Sequence, residues 1–352
     1  KGSFRDDILI DGVFQFVGQV FLRGIMMCVV PLVFVSLVNG AAGMGDIKKL
    51  GKVGVKTIAF YLVTTAIAII IGLVMAFIIR PGIGLDMGAI EAVEVTASEG
   101  KPIAQVLYEM VPRNPVQALA EGNMLQIIVF AIMTGIALTM LGEKGKGVLK
   151  LFEELNELAM KLVSMVMNLA PLGVLCLVAR TFGQVGISAA IPVLKSVVAV
   201  YIALAIHLVA VYGGMLKALS GLSPFRFIKK IFPAMAIAFS TASSSATLPV
   251  TMDLTINKIG ASKDISSFSL PLGATVNMDG TAIYQGVSAV FIAQAFGIQM
   301  TPAMAVMIVF SATLASIGTA GVPGAGAIML SMVLQTVGLP LEGLGLILGI
   351  DR

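Results

Sequence analysis

The chain has 352 residues, 58% of them hydrophobic and 12% charged, with a mean hydropathy of +1.00. Soluble proteins carry about 25% charged residues, and a soluble fold of this length has no interior large enough for so much apolar surface, so the solvent is lipid. Disorder is excluded by the hydropathy, a disulfide scaffold by having only Cys28 and Cys176, a transition-metal centre by a single His, and a nucleic-acid footprint by a net charge of +4 spread over short loops.

A membrane span needs about 20 apolar residues. In chain order the apolar runs are Phe14–Val38, Val53–Ile79, Met124–Leu141, Leu158–Phe182 and Ile191–Leu219. Then come Ile231–Ile256, Ile265–Phe296, Pro302–Val337 and a last run from Leu341, and both ends of the chain read as incomplete. Gly and other small residues throughout suit close helix packing. The alternation of about ten residues expected of a membrane barrel is missing. The acidic segment Glu91–Glu121 reads as a solvated loop, with Pro112–Pro115 as a turn before the next helix.

Basic residues orient these spans. The loops Gly40–Lys56, Gly142–Lys161 and Lys217–Lys230 carry four basic residues each, whereas Pro81–Asn123 carries only Lys101 and Arg113 against more numerous acids. The lysine-rich loops therefore face the cytoplasm. Arg226, Lys229 and Lys230 precede the run Ile231–Ile256, and Lys258 and Lys263 follow it. If both flanks are cytoplasmic, the run enters and returns, with Ser240–Ser245 at its tip. Pro302–Val337 is 36 residues long, about 54 Å as one helix against a hydrocarbon core of about 30 Å. Two half-length helices around Gly318–Gly324 fit better; the alternative in both cases is a pair of ordinary spans joined by a tight loop. Non-helical backbone at that depth must be buried in protein or line a cavity, and opposed tips with free backbone groups are the construction of ion-coupled transporters.

The run Ile265–Phe296 contains Asn277-Met278-Asp279-Gly280-Thr281. A carboxylate in mid-membrane is expensive and marks function by default. Carboxylate, amide and backbone oxygens are hard ligands for a small hard cation; composition alone does not choose which.

Three segments carry a resemblance. They are Thr241-Ala242-Ser243-Ser244-Ser245-Ala246-Thr247-Leu248-Pro249, then Pro271 through Thr281, and Ala315 through Ala327 with Ser316-Ile317-Gly318-Thr319-Ala320-Gly321-Val322-Pro323-Gly324. In their order and length they resemble the dicarboxylate/amino acid:cation symporter family, the glutamate transporter family, over nearly the whole chain. The resemblance implies an all-α integral membrane protein of the plasma membrane, a multi-span helical bundle with two opposed re-entrant hairpins and an unwound transmembrane helix. It implies a homotrimer in the lipid bilayer, working by an elevator motion, with no organic cofactor and no enzyme activity. Residues 1–52 and 81–182 would be scaffold, and residues 53–80 and 183–352 transport domain, with hairpins at 224–258 and 302–338, the unwound helix at 265–296 and the start of a last helix at 341–352.

The family's sodium sites would fall on Gly273 and Asn277; on Thr275 with Ser316, Ile317 and Thr319; and on Tyr61, Thr64 and Thr65 with Asn277 and Asp279. An acidic amino acid, aspartate or glutamate, would lie among Ala242, Ser243, Ser244, Met278, Thr281, Gly321 and Val322. The family's main substrate residues would lie beyond Arg352. Sodium coupling is the expectation and a proton-coupled dicarboxylate or glutamate symporter the alternative.

Among the remaining features, Thr64 and Thr65 read without the family as hydroxyls bonded back to their own helix. His207, alone in an apolar helix, reads as a satisfied interior residue, with a proton relay as the alternative. An intramembrane serine protease is set aside because the serines at 243–245 have no Gly-x-Ser-x-Gly frame and no neighbouring base. Two closing tips favour a carrier over a channel.

Overall fold

The computed structural model describes residues 12–43, 52–85, 108–185, 190–317 and 325–350, and among these all regular structure is helical. The helices are α1 Gln15–Gly43, α2 Lys52–Ile79, α3 Pro115–Glu121, α4 Met124–Leu141, α5 Lys146–Met167, α6 Ala170–Val185 and α7 Ala190–Ser220. They continue with α8 Pro224–Thr241, α9 Ser244–Asp253, α10 Lys263–Val276, α11 Asp279–Ala295, α12 Pro302–Ser316, α13 Ala325–Thr336 and α14 Leu344–Leu348. Four of the helical stretches among the described residues, Gly12–Gly43, Val53–Ile79, Met124–Met167 and Ala190–Ser220, are long and apolar enough to cross a membrane.

Two readings need correction. The run Leu158–Phe182 is not one unbroken helix. A helix begins at Lys146 and ends at Met167, and a second starts at Ala170. Pro171 supplies no backbone N–H, and the chain turns through Asn168 and Leu169, with the Gly173 N–H donating to the Leu169 carbonyl at 2.9 Å. Most of the supposed loop Gly142–Lys161 is therefore helix. Its Lys150 and Glu154 sit one turn apart on an exposed face, 3.9 Å from each other. The acidic stretch also ends in structure. Asn114 caps α3 by accepting from the N–H groups of Val116 and Gln117, with Pro115 in the first turn and Gly122 in the left-handed conformation at the end. The part from Glu91 to residue 107 lies outside the described residues.

The helices pack through small residues. α1 lies against α4, α5 and α6. A side chain at Gly135 of α4 would meet the Val38 carbonyl at 2.5 Å, and one at Gly173 of α6 would meet the Phe21 ring at 2.3 Å. Phe34 stacks on Phe130 with centroids 5.5 Å apart and meets Phe152 edge-on. Across the molecule α11 packs against α2, α7, α12 and α13 and is buried on every face. A helix apolar all round belongs in the middle of a bundle. Its approach to α2 is set by two glycines: a side chain at Gly72 would meet the Ile283 carbonyl at 2.8 Å, and one at Gly286 the Ile69 carbonyl at 3.1 Å.

Among the interruptions of the helical pattern in the described residues, three bear on the polar residues singled out in the sequence. α8 and α9 lie against each other, joined at Ala242 and Ser243. Ala242 is left-handed with φ 48°, and Ser243 caps α9 by accepting from the Ala246 N–H. α10 stops at Val276 and α11 begins at Asp279, so Asn277 and Met278 have non-helical backbone. Asn and Asp compete with the backbone for hydrogen bonds, which is why a helix yields at such a place. α7 carries a π turn over His207–Gly213.

Candidate cation site

The break between α10 and α11 places Asn277 and Asp279 beside the middle of α2. Thr64 and Thr65 are fully buried there, Asp279 is 4% exposed and His207 is 3% exposed. The Asp279 carboxylate takes four donors. Its Oδ1 accepts from the Thr65 hydroxyl at 2.6 Å and from Asn277 Nδ2 at 2.9 Å. Its Oδ2 faces His207 Nε2 at 3.0 Å and accepts from the Tyr212 hydroxyl. His207 Nδ1 is buried with no hydrogen-bond partner among the described residues. The arrangement therefore suits the tautomer with its proton on Nε2, donating to the carboxylate.

Asn277 Nδ2 lies inside a ring of oxygens. Besides Asp279 Oδ1 it faces the Tyr61 carbonyl at 3.2 Å, Thr64 Oγ1 at 2.8 Å and Thr65 Oγ1 at 3.3 Å. The Thr64 hydroxyl donates back to the Tyr61 carbonyl at 3.0 Å, so for Thr64 the helix-bonding reading holds and its lone pairs still face the ring. Thr65 instead donates across to α11. The Tyr61 hydroxyl donates to the Ser269 carbonyl at 2.8 Å, and its ring lies close against Gly273, where a side chain would meet the hydroxyl at 2.8 Å. Among the described residues no group of three or more His, Cys, Asp or Glu could hold a metal. One carboxylate with hydroxyl, amide and carbonyl oxygens is a donor set for a small hard cation.

The structure thus brings together Tyr61, Thr64, Thr65, Gly273, Asn277 and Asp279. Ser316 comes close as well: its hydroxyl donates to the Val276 carbonyl at 3.1 Å, beside Thr275, whose own hydroxyl bonds back to the Leu272 carbonyl. Ile317 is buried next to it. Met278 is buried and Thr281 partly buried at the start of α11. Ala242 and Ser244 stand exposed, and Ser243 partly exposed, at the α8–α9 turn; no hydrogen bond joins Ala242 or Ser244 to Met278 or Thr281 among the described residues. Thr319, Gly321 and Val322 lie outside the described residues. The wide groove between α2 and α12, lined by Leu62, Ile70, Phe77, Val306 and Phe310 among others, is apolar and lies apart from these groups.

Two residues were not legible as site residues in the sequence. His207 reads as a satisfied interior residue, and the structure turns its ring onto Asp279. Tyr212 carried no signal at all. Five residues from His207, it would face about 140° away on an α-helix, and only the π turn brings both to one carboxylate oxygen.

Comparison with known proteins agrees with this architecture. A profile of the Sodium:dicarboxylate symporter family matches residues 8–352. The chain is 40% identical over 345 residues to a proton/sodium-glutamate symport protein of Bacillus caldotenax, covering 96% of this chain and 82% of that one. It is 36% identical over 341 residues to a proton/glutamate-aspartate symporter of Bacillus subtilis (strain 168), covering 96% and 82%. It is 35% identical over 341 residues to a C4-dicarboxylate transport protein of the same organism, covering 95% and 80%. The protein is a multi-pass membrane transporter and not an enzyme, and it belongs to the sodium:dicarboxylate symporter family.

Proposed function

We propose that this symporter couples the uptake of an acidic amino acid, aspartate or glutamate, to sodium. The observation that carries the reading is the ring of Tyr61, Thr64, Thr65 and Asp279 oxygens around the Asn277 amide, buried between α2 and the α10–α11 break. Hydroxyl and carbonyl oxygens add nothing to the binding of a proton, whereas a sodium ion needs several of them at once. Gly273, Thr275, Ser316, Ile317 and Thr319 complete further sodium sites in this reading. The substrate lies among Ala242, Ser243, Ser244, Met278, Thr281, Gly321 and Val322.

The same reading makes α8–α9 and α12–α13 re-entrant hairpins. At about 1.5 Å per residue, α12 with 15 residues and α13 with 12 are each too short for a core of about 30 Å. The unwound segment is Asn277–Met278. A homotrimer would hold α1 and α4–α6 as the static scaffold, while α2, α7 and the hairpins move the site across the membrane. Relatives named for glutamate, aspartate and C4-dicarboxylates support an acidic substrate.

A second reading is proton-coupled symport of glutamate or a C4-dicarboxylate, favoured by the buried His207 ring on Asp279 Oδ2. Uptake of labelled L-glutamate, L-aspartate and succinate into proteoliposomes, driven in turn by a sodium gradient and by a pH gradient, decides between them. Uptake that follows the pH gradient alone refutes the sodium reading.

A further inference from the structure

The Asn277 amide nitrogen carries two hydrogens yet faces four oxygens within 3.3 Å. Two of those oxygens therefore look at the nitrogen without a proton between them. The amide sits where a cation bound by the same oxygens would sit. For the ring to take the cation, the amide must turn, and the torsion that turns it is broad and roughly two-fold. A half-turn carries Oδ1 toward the ring as a further cation ligand. It carries Nδ2 to the place Oδ1 holds now, and there it needs an acceptor.

Among the described residues, the Tyr212 hydroxyl stands beside that place and suits both states. The Tyr212 hydroxyl lies 3.5 Å from Asn277 Oδ1 and donates its proton to Asp279 Oδ2. A hydroxyl can donate once and still accept, so it keeps its bond to Asp279 while receiving the turned amide. His207 Nε2 is on Asp279, and no hydrogen bond joins the His207 ring to Asn277 among the described residues. The π turn His207–Gly213 is what places both rings here, with centroids 4.7 Å apart and planes at 71°. Such turns recur at functional sites; the described residues hold another at Leu254–Ile259, and what distinguishes this one is that it brings two side chains onto Asp279.

We propose that Tyr212 is a positioning residue for the cation: it fixes Asp279 from behind and receives the Asn277 amide nitrogen when the amide turns its oxygen to the ion. The proposal rests on the sodium reading above. It is tested on the purified protein by calorimetric binding of L-glutamate and by proteoliposome uptake, each across a sodium series. Tyr212→Phe removes the hydroxyl and keeps the ring. The half-saturating sodium concentration rises by about tenfold or more, the equivalent of one charge-assisted hydrogen bond. Glutamate affinity at saturating sodium stays within about twofold of wild type. A merely structural role would move both together. Tyr201→Phe, which removes a hydroxyl from an exposed tyrosine of the same helix away from Asp279, leaves half-saturating sodium within about twofold.

Tyr212→Met also lacks the hydroxyl and serves if the phenylalanine variant is not recovered. A Tyr212 variant whose sodium series overlays that of wild type overturns the proposal, as does an equal rise in Tyr201→Phe. Wild-type uptake and binding that are flat across sodium overturn the sodium reading itself, an outcome visible before any variant is made.

Discussion

Replacing Asp279 by Asn separates the cost to the fold from the cost to the ion. The carboxylate accepts two donors on each oxygen. An amide NH2 in place of either oxygen would face a pair of donors. On the Oδ1 side the Thr65 hydroxyl can rotate and accept, but the Asn277 amide must then turn. On the Oδ2 side the Tyr212 hydroxyl can rotate, but His207 must shift its proton to the buried Nδ1. One buried donor is left poorly matched in either case, which costs about 1–3 kcal/mol. The ion loses more. A monovalent cation at the present place of Asn277 Nδ2 would lie 2.9 Å from Asp279 Oδ1. The attraction between unit charges at that distance is about 6 kcal/mol with an effective dielectric of about 20, or about four orders of magnitude in affinity. Asp279→Asn should therefore remain folded in detergent, with a modestly lower thermal midpoint, while sodium no longer raises its midpoint or drives uptake. The assay is thermal unfolding across a sodium series beside proteoliposome uptake. A variant whose midpoint and uptake still rise with sodium at wild-type concentrations would remove Asp279 from the cation site.

Three further outcomes follow from the geometry. Gly72→Ala places a methyl 2.8 Å from the Ile283 backbone carbonyl, where no side chain can yield, and should destabilise the protein by about 1–3 kcal/mol; an unchanged thermal midpoint would mean that α2 and α11 do not meet there. Ala242→Gly relieves a left-handed alanine with φ 48° and should stabilise by about 1 kcal/mol, read by the same melt; a lower midpoint would show that the alanine methyl packs. In a Cys28→Ala/Cys176→Ala background, single cysteines at Ser220 and Ser262 should react with an impermeant thiol reagent from the cytoplasmic side, and those at Gln299 and Thr336 from outside. Reaction of Ser220 and Ser262 from opposite faces would make α8–α9 a true crossing.

The fold was legible where chemistry alone decides it. The apolar runs Val53–Ile79, Met124–Leu141 and Ile191–Leu219 agree with α2, α4 and α7 to within a residue or two. Lipid tolerates few other readings of such runs. Legibility failed where a helix is half in and half out of apolar surroundings. α5 mixes Lys150, Glu153, Glu154 and Glu157 with Phe152, Leu155 and Ala159, so by hydropathy its first half looks like a loop and its second half like the start of a span. Only the 3.6-residue period, which places the charges on one side, could have shown a helix from Lys146.

The site was legible to the extent that its members are polar in apolar runs. Asn277 and Asp279 stand out on desolvation cost alone. Thr64 and Thr65 do not, because a hydroxyl satisfied by its own helix costs nothing; Thr64 is satisfied that way in the structure, and only its lone pairs serve the site. His207 and Tyr212 show a different limit. Every sequence argument about a helix face assumes about 100° per residue, and one π turn at His207–Gly213 breaks that assumption over a single stretch of α7. A bulged helix has given up regular hydrogen bonding, and it keeps that arrangement only if something is gained. Here both side chains it realigns end on the one buried carboxylate of the cation site. A polar or ionisable residue in an apolar helix is therefore worth testing against partners five positions away as well as three and four, whenever an unpaired buried charge lies on a neighbouring helix.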